Sequence, residues 1–257
     1  MRRLSLSLVL AALLVPAAAS AAADCDVEAA VGEWAAAWSA RDAAPLPEAV
    51  AFEFLVTDSG DRFRVELPKD GPGRVVPAGG DEPATRFKAE REVFCDLASG
   101  QMGILTSMGQ ARPGDPTPMD VDIAEPWTKD GRVRRELIPA WYNFFATDTP
   151  DTVRFGFGHG RLVHGGHAVP LYYGEGLRTA WYGLEPGMHV NRDPADQANE
   201  FDSLFIVIAG PLQGRFDGEI RTLDKGQSVY VPAGMRHEFW VDEGRGEFIV
   251  VMSGEGA

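Results

Sequence analysis

The chain has 257 residues, which at roughly 100–200 residues per domain fits one large domain or two small ones. Hydrophobic residues make up 45% and charged residues 24% of the chain, a balance that argues against disorder and against multi-span membrane proteins. The 24 Lys and Arg against 38 Asp and Glu give a net charge of -14, and this sign repels nucleic-acid phosphates and anionic lipid surfaces. We therefore expect a globular protein without a nucleic-acid partner.

The N-terminus has the pattern of a secretory signal peptide. Arg2 and Arg3 precede an apolar run over residues 4–15, and small residues that suit signal peptidase follow over 17–23. The apolar run is shorter than the roughly 20 residues that a membrane-spanning helix needs. We therefore expect residues 1–23 to be cleaved and the mature chain to be periplasmic or secreted, without spanning a membrane.

The two cysteines, Cys25 and Cys95, would meet an oxidising environment after export. A bridge between them would close a long loop and stabilise the fold by about 4 kcal/mol on the chain-entropy model. Two buried free thiols are the alternative, and the sequence leaves both open. Since no histidine lies near either cysteine in the sequence, a catalytic thiolate is the least favoured interpretation.

The first half begins with a predicted helix over about 26–41, because valines and tryptophans recur there at helical spacing. Alternating apolar residues on both sides of the turn at 58–61 predict a β-hairpin over 52–67. The elements predicted after it are a strand through Val75 and Val76, a strand at 85–88, a helix over 93–98 and a short helix over 102–108.

This order of elements resembles the sterol carrier protein 2 family. The resemblance covers about residues 26–122 and depends on the hairpin, the turn at 70–73 and the run from Phe87 to Gly109. In that family a sheet covered by helices encloses an apolar tunnel for fatty acyl or sterol-like molecules. The resemblance therefore implies an α+β domain over 24–122, while the same spacing also suits an ordinary packed core. The candidate tunnel-lining residues are Phe94, Met102 and Met108.

Residues 111–126 are rich in Pro, Asp and Gly, and they predict a linker or boundary loop. The second half, over 123–257, consists of short β-rich runs that are separated by glycine-containing turns. Asp217-Gly218 between two such runs is a strong hairpin signal. Closely spaced strands of this kind predict an antiparallel barrel or jelly roll. The predicted strands are 171–173, 179–182, 204–208, 213–216, 219–223, 228–231 and 248–252.

The segment 226–237 is similar to the second motif of the cupin family: a glycine, five residues, Pro-x-Gly, two residues and a histidine, here His237. The first motif begins with Gly183, five residues and His189, but its second histidine is replaced by Asn191 and its glutamate position holds Ser203. The resemblance implies an all-β cupin barrel, a double-stranded β-helix, over 123–257. It also allows a homodimer, since cupins often pair through exposed strands.

A typical cupin holds a metal ion with three histidines and one carboxylate. In this chain the resemblance implies only His189 and His237 as ligands, with Asn191 as a weak neutral donor. We expect the two imidazoles to face each other inside the barrel. The cofactor expectation is accordingly limited to one divalent ion (iron, manganese, zinc or nickel) or none. The inward aromatic residues predicted to line an apolar pocket beside the imidazoles are Trp181, Phe205 and Trp240.

These observations predict an exported binding protein that holds a small apolar or amphipathic molecule, lipid-like or sterol-like, in one or both cavities. The alternative is a metal-dependent cupin enzyme, an oxygenase, isomerase or lyase, with a degenerate metal site. That site would combine His189 and His237 with Asn191 and one acid, Asp196, Glu200 or Asp202. The sequence assigns no catalytic residue, and whether the protein is an enzyme stays open.

Overall fold

The structure is a computed structural model. It describes residues 25–38, 46, 48–110, 114–129, 132–134, 137–146, 152–174 and 176–257. The predicted signal peptide lies outside these residues, as do positions 39–41 of the predicted first helix. None of the helices in the described ranges has the length and hydrophobicity that crossing a bilayer requires.

A five-stranded mixed sheet forms the centre of the first half. Its order is β3-β2-β1-β4-β5, and β1 and β4 run parallel. The predicted hairpin is confirmed as β1 and β2, with Phe52 opposite Val65. The strands are β1 (Val50–Val56), β2 (Arg62–Leu67), β3 (Arg74–Val76), β4 (Thr85–Ala89) and β5 (Met119–Ile123).

The edge strand β5 corrects the expectation of a linker over 111–126. Met119, Val121 and Ile123 alternate with aspartates, and this period of two is the pattern of a strand with one buried face. The strand pairs antiparallel with β4, and Met119 is buried at its start. The three prolines that precede it at 113, 116 and 118 masked a short alternation that the sequence does contain.

Four α-helices are present in the described residues: α1 (Val27–Ala37), α2 (Arg91–Ala98), α3 (Ile104–Met108) and α4 (Leu137–Phe145). Among the same residues, two short 3-10 helices lie at Glu125–Trp127 and Pro194–Asp196. α1 begins after Asp26, whose carboxylate accepts a hydrogen bond from the Ala29 N–H at 3.2 Å. Cys25 forms a disulfide with Cys95 of α2, which settles the alternative between a bridge and two free thiols. The bridge ties the start of α1 to the helix beside it.

The first core is densely filled with aromatic rings. Phe54 stacks on Phe87 and on Phe144, each at 5.5 Å between centroids, and all three are fully buried. Helix α4 belongs to this core, because Phe144 and Phe145 pack in it and Trp141 donates a hydrogen bond to Thr85 Oγ1 at 3.0 Å. The first core therefore extends to Phe145, beyond the predicted boundary after residue 122.

The second half is a β-barrel of two antiparallel sheets, and every strand predicted there is present. The sheet orders are β15-β12-β17-β10-β9-β8 and β11-β16-β13-β14. The hairpin at Asp217-Gly218 is confirmed, with both residues at positive φ. A two-stranded ribbon, β6 (Thr128–Lys129) and β7 (Arg132–Val133), precedes the barrel. The barrel strands are β8 (Arg161–Val163), β9 (Gly166–Gly174), β10 (Leu177–Leu184), β11 (His189–Val190), β12 (Asp202–Ala209), β13 (Leu212–Phe216), β14 (Glu219–Leu223), β15 (Ser228–Val231), β16 (His237–Trp240) and β17 (Gly246–Ser253).

Candidate functional site

A cavity of about 550 Å³ lies where the barrel meets helices α3 and α4. The helices contribute Thr106 and Met108 from α3 and Ile138 and Trp141 from α4. The barrel contributes inward-facing residues of both sheets. The cavity wall is therefore shared between the two halves of the chain.

Strand register explains why the cavity has a polar mouth and an apolar interior. Arg178, Ala180 and Tyr182 of β10 share one face, because side chains two apart in a strand point the same way. Deeper along the strand, Tyr182 stacks on Phe248 at 5.3 Å, and burial raises the pKa of Tyr182 to about 12. The phenol is therefore neutral at ordinary pH, and the aromatic stack forms the inner end of the cavity.

Arg178 is the cationic group of the mouth. Its guanidinium lies 4.3 Å from the ring centroid of Tyr173 and 5.6 Å from that of Phe201. Nη2 donates to the carbonyl oxygen of Gly256 at 2.9 Å. Nε is buried and has no hydrogen-bond partner among the described residues. One edge of a fixed guanidinium is thus left without an acceptor.

His237 presents an unused nitrogen lone pair. Its Nδ1 lies 3.1 Å from the carbonyl oxygen of Met235, and because a carbonyl only accepts, Nδ1 carries the hydrogen and Nε2 is the acceptor. Nε2 is buried without a partner among the described residues. Burial lowers the pKa of His237, so the ring is neutral near pH 7. The ring packs against Phe205 at 5.2 Å between centroids.

Unpaired buried polar atoms concentrate at this cavity. In the described part of the chain, five buried side-chain atoms have no hydrogen-bond partner, and three of them belong to residues that line it: Thr106, Arg178 and His237. Native structures satisfy the large majority of buried polar side-chain atoms. Residues with unsatisfied polar atoms therefore gather around this cavity.

His189 does not face His237, which corrects the expectation that the two imidazoles meet inside the barrel. His189 lies directly opposite Trp240 in the β11–β16 pair, and residues opposite each other share a face. His237 is three positions before Trp240 on the same strand, so it points to the other face. Val190, the neighbour of His189, is the residue of β11 that enters the barrel core.

On the outer face, His189 belongs to a charged group around Glu238. Its Nε2 lies 2.7 Å from Glu238 Oε2, although the contact lacks hydrogen-bond alignment. Arg215 pairs with the other carboxylate oxygen of Glu238, and its guanidinium lies 5.3 Å from the ring of Trp240. Glu238 is only 5% exposed, so this buried carboxylate needs the charge of the Arg215 guanidinium beside it.

The residues implied for a cupin metal do not fit one ion. His189 and His237 lie on opposite faces of the same sheet, and of the two only His237 reaches the cavity that Asn191 also lines. No cluster of three or more His, Cys, Asp and Glu side chains that could hold a metal is found in the described ranges. His189, Asn191 and His237 therefore do not form a single metal site.

The aromatic residues predicted for the barrel pocket separate in the same way. Phe205 lines the cavity, whereas Trp240 lies on the outer face beside His189. Trp181 is fully buried on the other face of β10, where it packs against Phe157 and donates to Glu247 Oε2 at 3.0 Å. Trp181 and Trp240 are thus excluded from the cavity by the alternation of their strands.

The residues predicted to line a tunnel in the first half also separate. Met108 lines the large cavity, and Met102 lines a small pocket of about 30 Å³. Phe94 is fully buried against Phe54 in the aromatic core. The two methionines thus face different cavities, and Phe94 contributes to packing.

Arg178 and Thr106 were not singled out in the sequence, although a signal for Arg178 existed. Alternation along β10 places Ala180 and Tyr182 inward, and the same alternation places Arg178 inward two positions earlier. Thr106 carries no comparable signal, because only the packing of α3 against the barrel decides that its hydroxyl is enclosed.

No protein-family model and no curated protein sequence matches this chain. Among solved structures, a cupin 2 conserved barrel domain protein from Salinispora arenicola is 18% identical, over 40% of this chain and 88% of that one, with a TM-score of 0.36. An RmlC-like cupin from Shewanella frigidimarina is 20% identical over 40% and 91%, with a TM-score of 0.32. KdgF from a Halomonas species is 18% identical over 36% and 82%, with a TM-score of 0.33. The cupin likeness covers the C-terminal part of the chain.

Proposed function

We propose that this is an exported small-molecule-binding protein and that its ligand, an amphipathic molecule, occupies the cavity between the barrel and helices α3 and α4. The observation that carries the proposal is the cavity itself. Its volume of about 550 Å³ lies within the range of small-molecule sites, roughly 300–1,000 Å³.

The lining favours a ligand with both apolar and polar parts. Phe205, Val250 and Met252 of the barrel and Ile138 of α4 offer hydrocarbon and aromatic surface. The buried polar atoms described above are few and separated, and they would orient a ligand without holding a strongly hydrated one. A lipid-like molecule with one polar end matches this division.

The proposal extends to compartment and ancestry. The pattern of residues 1–23 supports export, the motif at 226–237 supports a cupin barrel, and the order of elements in the first half supports a unit like sterol carrier protein 2. In this proposal the first half does not enclose a ligand alone, because its core is filled. Its helices instead complete the wall of the barrel cavity. The divergence of His189 and His237 gives the enzyme alternative no support.

The test is titration of the purified protein with N-phenyl-1-naphthylamine, a neutral apolar dye that fluoresces when it leaves water. We expect saturable binding at one site. Ala198 is an exposed residue at the cavity wall. The Ala198→Trp substitution should narrow the mouth of the cavity and weaken dye binding by about tenfold or more, a loss of about 1.4 kcal/mol in binding free energy.

The matched control is Glu200→Trp, which adds the same indole to an exposed position of the same loop and should bind like the unmodified protein. Solvent extraction of protein purified from its own host would identify a resident molecule by mass spectrometry. Absence of saturable dye binding, or equal loss in both variants, would contradict the proposed site.

A further inference from the structure

We propose that the ligand carries a carboxylate and that this carboxylate binds the Nε edge of Arg178 at the cavity mouth. The inference rests on the proposed function and adds the chemical class of the ligand: a monocarboxylic acid with an apolar body.

The placement of Arg178 in the cavity wall favours an anionic ligand. Among the described residues that line the cavity, Arg178 is the only Lys or Arg and Asp196 the only Asp or Glu. The arginine ion pairs of the described residues are formed by other arginines, so Arg178 takes part in none of them. A guanidinium is always charged and can only donate hydrogen bonds. Its buried Nε therefore requires an acceptor that the described residues do not supply.

The guanidinium is held in place before any ligand binds. The ring of Tyr173 on one side and the Gly256 carbonyl at Nη2 fix its plane and its direction. A fixed guanidinium suits a carboxylate, since a hydrogen bond between a charged donor and an ionised acceptor is stronger than one between neutral groups. A neutral amide or hydroxyl offers a single weaker acceptor at the same place.

The charge of the cavity wall favours a ligand with a single negative charge. One guanidinium neutralises one negative charge, and the wall next to it is apolar or neutral except for Asp196. A dianion would keep an uncompensated charge in a partly desolvated site, which is costly. The net charge of -14 does not attract anions at a distance, so selection of a carboxylate must come from the direct contact with Arg178.

The experiment compares decanoate with decanamide, which have the same chain and nearly the same shape and differ in charge. Each competes with bound N-phenyl-1-naphthylamine on the full chain. We expect decanoate to bind about tenfold or more tightly than decanamide, as charge-assisted hydrogen bonds predict. Arg178→Gln should remove this preference, because it removes the charge that distinguishes the two ligands, and Arg178→Lys should restore part of it.

The control is Arg221→Gln, which removes an exposed arginine that pairs with Glu219 on β14, away from the cavity. It has the same net charge as Arg178→Gln and should keep the full preference. If Arg178→Gln does not fold, the preference of the unmodified protein and of Arg178→Lys decides the question.

Equal binding of decanoate and decanamide to the unmodified protein would overturn the carboxylate assignment while the dye-binding site stands. A preference that survives in Arg178→Gln would overturn the role of Arg178. Failure of the dye to bind at all would instead contradict the proposed function.

Discussion

The sheet of the first half and the barrel of the second use aromatic residues in opposite ways. In the first core, Phe52, Phe54 and Phe87 pack against Phe144 and Phe145 of α4, and each of these five is no more than 5% exposed. In the barrel, Phe205, Phe239 and Phe248 fill only the inner end, and a cavity remains at the mouth.

Helix α4 links the two regions and shows what the difference means. Its Phe144 completes the first core, while Ile138 and Trp141 form part of the cavity wall. The filled region therefore acts as a rigid support for the open one. Function is expected where packing stops and polar atoms lie unpaired, and stability is expected from the filled aromatic core.

The largest effect should come from opening the filled core. Phe87 is fully buried and contacts four aromatic residues, Phe52, Phe54, Trp141 and Phe145. We expect Phe87→Ala to lower the free energy of unfolding by about 3–5 kcal/mol, measured by urea denaturation. Phe155→Ala, at a ring that is 45% exposed, should cost under about 1 kcal/mol. Similar losses of unfolding free energy in both variants would contradict the expectation that the filled core contributes most of the stability.

The next effect concerns the covalent tie within the filled region. Reduction of the Cys25–Cys95 bridge opens a loop between cysteines that are 70 positions apart in sequence. It should lower the free energy of unfolding by about 2–4 kcal/mol. Urea denaturation with and without dithiothreitol measures this cost. The variant that carries Cys25→Ala and Cys95→Ala should be insensitive to the reductant, and a reductant effect that persists in it would show that the bridge is not its source.

A smaller effect should depend on pH and come from the open region. Burial lowers the pKa of His237 below its ordinary 6.5, so below pH 6.5 the unfolded chain binds a proton that the folded chain does not. The free energy of unfolding should therefore fall as the pH drops through this window, by at most about 1.4 kcal/mol per pH unit for one proton, and the fall should stop below the folded pKa.

Urea denaturation of the unmodified protein and of His237→Gln from about pH 7.5 to about pH 5 isolates this contribution. The glutamine keeps a hydrogen-bonding group and removes the titration, so the difference between the two curves should shrink as the pH falls. A difference that is constant with pH would mean that His237 protonates equally in both states.

The smallest effect compares adjacent residues of α3. The Thr106 hydroxyl has no partner among the described residues, whereas the Ser107 hydroxyl donates to the Ile104 carbonyl at 2.7 Å. Thr106→Val should change the free energy of unfolding by under about 0.5 kcal/mol in either direction, and Ser107→Ala should cost about 1 kcal/mol. A loss in Thr106→Val as large as that in Ser107→Ala would show that a partner already satisfies the threonine.

Most individual elements could be predicted from the sequence because their signals are local. The alternation on both sides of residues 58–61 became β1 and β2, and Asp217-Gly218 became a hairpin turn. The spacing of valines and tryptophans became α1. Each of these depends on side chains within a few positions of one another, where periodicity alone separates a buried face from an exposed one.

The candidate site was harder to predict from the sequence than the elements were, because it depends on which face of each strand points into the barrel. The cupin-like motifs predicted that both histidines face inward. His237 lines the cavity, whereas His189 lies at the alternate position of β11 and faces the other side of the sheet. A shift of one residue moves a side chain to the opposite face of a sheet. The same rule placed Trp181 and Trp240 outside the cavity and Arg178 inside it.

By itself, the sequence determined most of the strands, the turns at 58–61 and 217–218, the presence of two cysteines and the division into an α+β half and a glycine-punctuated β half. Only the tertiary structure decided that Cys25 and Cys95 meet, that α4 belongs to the first core, and that the cavity is shared between the halves. The physical reason is that helices and turns are set by neighbours along the chain. Strand register and helix docking are set by contacts between residues far apart in sequence, and no local pattern records them.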